Sequence, residues 1–377
     1  MGTLSGKPQM LKEVNSSMIE RLVFENGPLS KPELVKRTGL SLTTISKLVD
    51  DLEKNDRLSS VGLTGNGAGR RAMLYETNRS SGCLLACYFQ EEGFNCRLAD
   101  MLNNTLYEKR FPLDLSSFKK TVNSTLSAID SLIEKAPAKV KIIGVGLPGV
   151  VQPDGCLLGI PQISVWEGFN LQKVLVSHYK KAAIYVENGV KCSAVGYFNA
   201  NLKEKYDRLV YLYVGNGIGS GIILEKQLYR GSANFSGEIG YMTEPRGMTN
   251  QDYASGGGYM ESLMSELVDY STGEFRQKRR IKDVIAILST IAVNHVAVLS
   301  PDVIVFAGKI FDESLIEAIR KRMAYYLPAE IMPKITLDLS TTTGLDGLIQ
   351  NSTSYITTGM HLIQSSGLSQ QAGRIAV

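Results

Sequence analysis

The spacing of apolar residues changes along this chain at about residue 84, and that change limits the folds open to it. Before it, apolar residues recur at helical intervals: Ile19, Leu22 and Val23, then Leu34 and Val35, then Ile45, Leu48, Val49 and Leu52. After it, short apolar runs alternate with helical stretches. Strands are expected at 84–89, 94–98, 141–146, 183–186, 209–214, 220–224 and 303–306. Helices are expected at 118–135, 171–179, 190–201, 257–270 and 281–299. The alternation predicts an α/β body with mixed sheets behind a helical head. Residues 364–377 lose periodicity and read as a mobile tail.

Charge separates the same two parts. Residues 1–75 carry eleven Lys and Arg against eight Asp and Glu, so the head holds +3 of the chain's +4 and the body is nearly neutral. At 377 residues, with 44% hydrophobic and 21% charged, the chain has the makeup of a folded two- or three-domain protein. No apolar run approaches the roughly 18–20 residues that span a bilayer, so no membrane helix is expected. Met1 to Met10 lack the layout of a secretory signal. Cys83, Cys87, Cys96, Cys156 and Cys192 are odd in number and scattered. They read as buried thiols in a reducing cytoplasm, not as a disulfide framework.

The head carries helix punctuation. A first helix is expected from about Asn15 to Glu25, stopped by Gly27-Pro28. Ser30 with Glu33 makes a capping box for a second helix that ends at Thr38-Gly39. Ser41 caps a third, from Leu42 to about Lys54. Two short helices across a Gly-containing turn make a helix-turn-helix. In that arrangement Ser41, Thr43, Thr44 and Lys47 face base edges and phosphates in a major groove. Gly62, Gly65, Gly67 and Gly69 suit a loop between two strands, with Arg70-Arg71 directly behind it. Such a wing reaches phosphates or a minor groove. The expectation is a winged helix that binds double-stranded DNA; the alternative is a protein–protein module with solubilising arginines.

Three glycine clusters mark the body: Gly144-Val-Gly-Leu-Pro-Gly149, Gly215-Asn-Gly-Ile-Gly-Ser-Gly221 and Gly237-Glu-Ile-Gly240. Glycines at strand ends let backbone amides approach an anion or a sugar. In this order, and most specifically over Val214 to Tyr241, they resemble the ROK family of repressors, open-reading-frame proteins and sugar kinases. The head, Leu29-Ser-Lys-Pro-Glu-Leu-Val-Lys-Arg-Thr-Gly-Leu-Ser through Gly69-Arg-Arg-Ala-Met-Leu-Tyr75, looks like the winged helix of the repressor branch. The resemblance implies an actin-like (sugar-kinase, ribonuclease H-like) body of two α/β lobes with a sugar cleft between them. The implied division is a head at 1–77, a first lobe at 78–187, a second lobe at 188–366 and a tail at 367–377.

Departures from the family pattern point away from catalysis. The resemblance implies that an Asp-x-Gly-x-Thr phosphate loop falls on Tyr88-Phe-Gln-Glu-Glu92, so Tyr88, Gln90 and Glu92 replace its Asp, Gly and Thr. Glu91 and Glu92 bring like charge to a phosphate position. The family's Glu-Asn-Asp, whose Asp is the general base, is here Glu187-Asn188-Gly189, and glycine accepts no proton. The family's zinc-holding His is Tyr241, and no Cys follows Cys192, so neither metal nor cofactor is expected. The cysteine loop is read as deleted between Glu244 and Tyr253. His178, His295 and His361 are isolated.

The sugar contacts are partly kept. By position Asn188 and Glu238 match family contacts, Gln162 stands where Asn is common, Gln251 stands where Glu is usual, and Tyr241 replaces a ring-contacting His. The expected function is a non-enzymatic, cytoplasmic repressor of operator DNA, a homodimer, tuned by a small carbohydrate effector. The helix at 281–299 is a candidate for part of the dimer contact or a helix buried in its own lobe. Two alternatives stand beside this reading: a sugar kinase that also binds DNA, and a repressor whose cleft is vestigial and whose regulator is a protein.

Overall fold

The computed structural model describes residues 8–63, 71–243 and 258–357, with side chains from residue 11. The head comprises α1 (Pro8–Asn26), β1 (Leu29–Ser30), α2 (Lys31–Thr38), α3 (Leu42–Lys54), β2 (Leu58–Leu63) and β3 (Met73–Thr77). The capping box forms: Ser30 N–H donates to Glu33 Oε2 at 2.8 Å, and Glu33 N–H to Ser30 Oγ at 3.5 Å. Gly39 ends α2 in the left-handed conformation, φ 71°, which a side chain would strain. β1, β3 and β2 make an antiparallel sheet in that order. Ile19, Leu34, Ile45, Val49 and Leu52 meet in one small core, the helical stripe expected from spacing. The first helix starts at Pro8, earlier than its periodicity suggests.

The body is two lobes of the same design. In the first, β4 (Cys83–Gln90), β5 (Gly93–Asp100) and β6 (Thr105–Pro112) form an antiparallel meander. Then follow α4 (Phe118–Ile133), β7 (Val140–Leu147), the small β8 (Val150–Val151) and β9 (Leu157–Leu158) ribbon, α5 (Leu171–His178) and β10 (Ala183–Asn188). β7 and β10 run parallel to β4, giving the order β10-β7-β4-β5-β6. After α6 (Gly189–Asn201), the second lobe repeats the plan. Its meander is β11 (Leu209–Val214), β12 (Ile218–Leu224) and β13 (Gln227–Tyr229). Next come α7 (Tyr259–Leu267), α8 (Ile281–Leu299), β14 (Val303–Ala307), α9 (Glu313–Met323) and β15 (Lys334–Asp338), in the order β13-β12-β11-β14-β15. α10 (Thr343–Thr357) closes the described chain.

Helices cover both faces of each sheet, so most strands are buried on both sides. α4 and α5 pack on one face of the first sheet. α10 supplies Leu345, Leu348 and Ile349 to the other. Expectation placed 188–366 wholly in the second lobe, and the position of α10 corrects that: the helix returns to the first sheet. It crosses α6 closely, because a Cβ on Gly196 would lie 2.2 Å from the Thr343 carbonyl oxygen, and one on Gly347 1.8 Å from that of Cys192. Only glycine permits this approach. α10 also packs against α1, joining head to body.

α8 is a core helix. By length and hydropathy Lys278–Leu299 is enough to cross a membrane, which corrects the expectation that no stretch is. Its Val284, Leu288, Ile291, Ala292 and Val296 are buried in the second-lobe core with Val210, Leu212 and Phe306. The helix expected at 257–270 is shorter, because Val268 leaves it to bridge Phe275. Cys83, Cys87, Cys96 and Cys192 are buried, while Cys156 is partly exposed. His295 is buried with Nδ1 2.8 Å from the Ile291 carbonyl oxygen, and His178 lies edge-on to Tyr179. His361 lies outside the described residues.

Candidate functional site

Where the lobes meet, a cleft of about 300 Å³ opens between the strand ends of both sheets. Its walls come from repeated positions: the end of β10 gives Asn188, and the equivalent end of β15 gives Asp338. Convergent polar groups in a partly apolar cleft are the usual form of a small-molecule site.

Asn188 sits at the N-terminus of α6 and is occupied by its own fold. Its Oδ1 accepts Lys191 N–H at 3.0 Å and its Nδ2 donates to the Gly149 carbonyl at 2.7 Å. These two bonds fix the amide and leave one hydrogen and one lone pair for a ligand. Glu187 behind it is buried and accepts from Tyr185 hydroxyl at 2.9 Å and Arg230 Nε at 2.8 Å. Glu238 lines the cleft with Oε1 3.9 Å from the Lys191 ammonium. Burial raises the Glu238 carboxyl to about 7 despite that lysine, with nearby Glu261 and Glu187 adding to the rise. Lys191 is only 1% exposed, donates to the Asn234 carbonyl, and has its pKa lowered by burial.

Gln162 reaches across the cleft from the segment Pro161–Trp166. Its Nε2 donates to the Asn216 carbonyl in the β11–β12 turn, and its Oε1 is buried without a partner among the described residues. Tyr241 lines the cleft beside Gly159, its ring 5.0 Å from that of Phe235. The cleft thus brings together Gln162, Asn188, Glu238 and Tyr241. Gln251 lies outside the described residues, as does the Glu244 to Tyr253 stretch where a deletion was expected.

Tyr88, Gln90 and Gly189 line the same cleft. The Tyr88 hydroxyl donates to the Gly189 carbonyl at 3.2 Å, and burial pushes its pKa up. Glu91 and Glu92 form the two-residue turn of the β4–β5 hairpin, with φ of 49° and 60°. Glu91 is paired, to Arg110 Nη1 at 3.1 Å and across the lobes to Lys309 Nζ at 2.8 Å. These two cations hold the Glu91 carboxyl below its ordinary range.

Two cleft residues escaped sequence reading. Lys309 follows β14 and is the cation of that interlobe pair. Glu261 on the first turn of α7 accepts the Ile218 N–H at 2.7 Å, and burial raises it to about 7. No motif marks either residue. The glycine run just before α7 is the one signal that could have drawn attention to Glu261.

In the head, Ser41 Oγ accepts Thr44 N–H at 3.1 Å and lies 2.8 Å from the Thr44 hydroxyl. Thr43 and Lys47 are exposed, one helical turn apart on α3. Arg71 is exposed just before β3, while Arg70 lies outside the described residues.

A family model described as "ROK family" matches residues 91–343, well over half of the chain. The chain belongs to the ROK family. Among curated relatives, the xylose repressor of Bacillus subtilis (strain 168) is 27% identical over 62% of this chain and 61% of its own length. The DNA-binding transcriptional dual regulator NagC of Escherichia coli (strain K12) is 26% identical over 64% of this chain and 60% of its own. The chain therefore spans about 60% of the length of these relatives. Among solved structures, a ROK family transcriptional regulator described as a homolog of the E. coli MLC protein superposes with TM-score 0.69 and 17% identity. That superposition covers 94% of this chain and 99% of that one. A ROK hexokinase from Thermus thermophilus gives TM-score 0.58 and 19% identity, covering 73% of this chain and 98% of that one. The body accordingly has the ROK sugar-kinase-like α/β fold.

Proposed function

We propose that this ROK protein is a transcriptional repressor that binds operator DNA through a winged helix-turn-helix head and senses a sugar or sugar derivative in a non-catalytic cleft. One observation carries the reading: a capped helix pair with a hairpin behind it is joined, in one chain, to a cleft in which Tyr88 packs against Gly189, the position that the family pattern gives to its base. The likeness to a ROK regulator over 94% of the chain, against 73% for a ROK hexokinase, supports it. So do relatives named as repressors.

In this reading α3 is the recognition helix. Ser41, Thr43, Thr44 and Lys47 at its start meet the major groove, and Arg70 and Arg71 on the wing meet the backbone or minor groove. Two copies on a palindromic operator gain affinity and specificity together, so the working form is a homodimer. In the cleft Gln162, Asn188, Glu238 and Tyr241 serve the effector, and the family pattern adds Gln251 to this set. The effector changes DNA affinity only by favouring one arrangement of head and lobes, and α10 is the physical link, since its first residues line the cleft and it packs on α1.

Phosphoryl transfer is disfavoured because Gly189 supplies no base and the Tyr88 ring fills the space beside it. The test is a thermal-shift screen of sugars, followed by operator binding with each sugar that stabilises the protein and by an ATP–magnesium assay on the same sugars. Stabilisation with altered operator affinity and no phosphorylation supports the reading. Robust phosphorylation rejects it in favour of a DNA-binding kinase.

A further inference from the structure

We propose that the cleft takes an unphosphorylated sugar, and that Glu261 is a second acidic effector contact beside Glu238. The inference rests on the effector reading above and narrows its ligand class. The Glu261 carboxylate on the cleft wall accepts the Ile218 N–H at 2.7 Å and a hydrogen bond from the Tyr270 side chain, and its remaining lone pairs are open to a ligand. Gln162 Oε1 is buried in the same wall, and its Nε2 is already committed to the Asn216 carbonyl. Glu238 is the third acceptor. A wall of acceptors calls for a ligand rich in donors, and sugar hydroxyls are donors at every carbon.

The cations run the other way. Among the described residues, Lys309 is the one Lys or Arg that lines the cleft, and its ammonium is held by Glu91 at 2.8 Å and by the Ser271 carbonyl at 3.1 Å. Lys191 stands behind Glu238 and donates to the Asn234 carbonyl. A phosphate monoester brings nearly two negative charges and acceptor-only oxygens. Proteins meet such groups with arginine forks, lysines or free backbone N–H groups. Here the ester would sit beside Glu238 and Glu261, and the charge of Glu261 already adds to the rise that burial gives the Glu238 carboxyl. In a partly desolvated cleft that repulsion exceeds what water would screen.

The experiment uses the full chain, with glucose, N-acetylglucosamine and xylose each titrated beside its phosphate monoester. At least one free sugar is expected to bind, and its phosphate to bind at least about thirtyfold more weakly. Glu261→Gln keeps an oxygen to accept Ile218 N–H, so its unliganded melting temperature serves as the check on folding. It is expected to weaken the free sugar by about tenfold and to narrow the penalty on the phosphate. A phosphate ester that binds as tightly as its free sugar overturns the inference while leaving the effector reading in place. A folded Glu261→Gln protein with unchanged sugar affinity removes Glu261 from the contact set. If none of these compounds binds, both the effector reading and this inference fail.

Discussion

Tyr88 and Gly189 are packed against each other across the cleft floor: the phenol donates to the Gly189 carbonyl at 3.2 Å, and a Cβ on Gly189 would lie 3.1–3.3 Å from the phenol. The same ring fills the space beside Gly344 at the start of α10, where a Cβ would lie 2.3 Å from it. One side chain from β4 therefore touches the first turns of both crossing helices. A carboxylate could enter at residue 189 only if the ring moved, and the ring is braced on three sides by Gly189, Ser193 and Gly344.

Gly189→Asp is expected to destabilise the protein without creating a kinase. Overpacking of this kind costs about 1–3 kcal/mol. Thermal unfolding reads the cost, and an ATP–magnesium assay with hexoses reads the activity. Phosphoryl transfer by the single variant would mean that the phosphate site survives in spite of Tyr88, Gln90 and Glu92.

Lys47 and Arg71 separate sequence readout from backbone attraction. Lys47→Ala is expected to lower affinity for the native operator by about 1–3 kcal/mol with less effect on unrelated DNA. Arg71→Ala is expected to weaken binding to all sequences alike and to reduce the salt slope by about 1. Thr44→Ala is a poorer probe, because the Thr44 hydroxyl lies 2.8 Å from the capping Ser41 and its loss disturbs the helix start. Operator titrations at several salt concentrations, with circular dichroism as the control for folding, distinguish these outcomes.

Glu238 makes stability depend on pH in a known direction. Its carboxyl is raised from 4.5 to about 7 in the folded protein, so the folded state holds a proton that the unfolded state releases earlier. Its contribution is complete below the unfolded value and is lost as pH rises through about 7. Between about pH 5 and 8, wild type should therefore lose stability relative to Glu238→Gln. Urea unfolding of the two proteins across that range measures the difference, and a difference that is flat or grows the other way contradicts the burial argument.

How much of this was legible in the sequence follows from where the signal lay. Ser30, Glu33, Gly39 and Ser41 announce the two short helices because caps act locally, and the structure places them as expected. The strands buried on both faces, such as 84–89 and 209–214, read as apolar runs for the same reason. The lobe repeat was hidden because β6 is exposed along nearly its whole length and carries Glu108, Lys109 and Arg110. α10 was hidden because it buries Ser352 and Thr353 and crosses α6 at a glycine, so its inner face does not look apolar. In the cleft, Gln162, Asn188, Glu238 and Tyr241 came from positions in a family pattern. Glu261 belongs to no motif, and only the fold brings it to that wall.

The most direct test of a sugar-sensing repressor is a titration of the stabilising sugar against operator-bound wild type and Glu238→Ala protein. Removing this carboxylate leaves sugar hydroxyls unpaired and is expected to cost roughly 1.5–3 kcal/mol, about ten- to a hundredfold in effector affinity. Without sugar both proteins should hold the operator equally, since Glu238 lies in the body and the residues proposed to read DNA lie in the head. The account predicts a wild-type protein whose operator affinity shifts with sugar and a variant that stays bound with little response. An unchanged response in the Glu238→Ala protein would contradict it and place regulation outside the cleft.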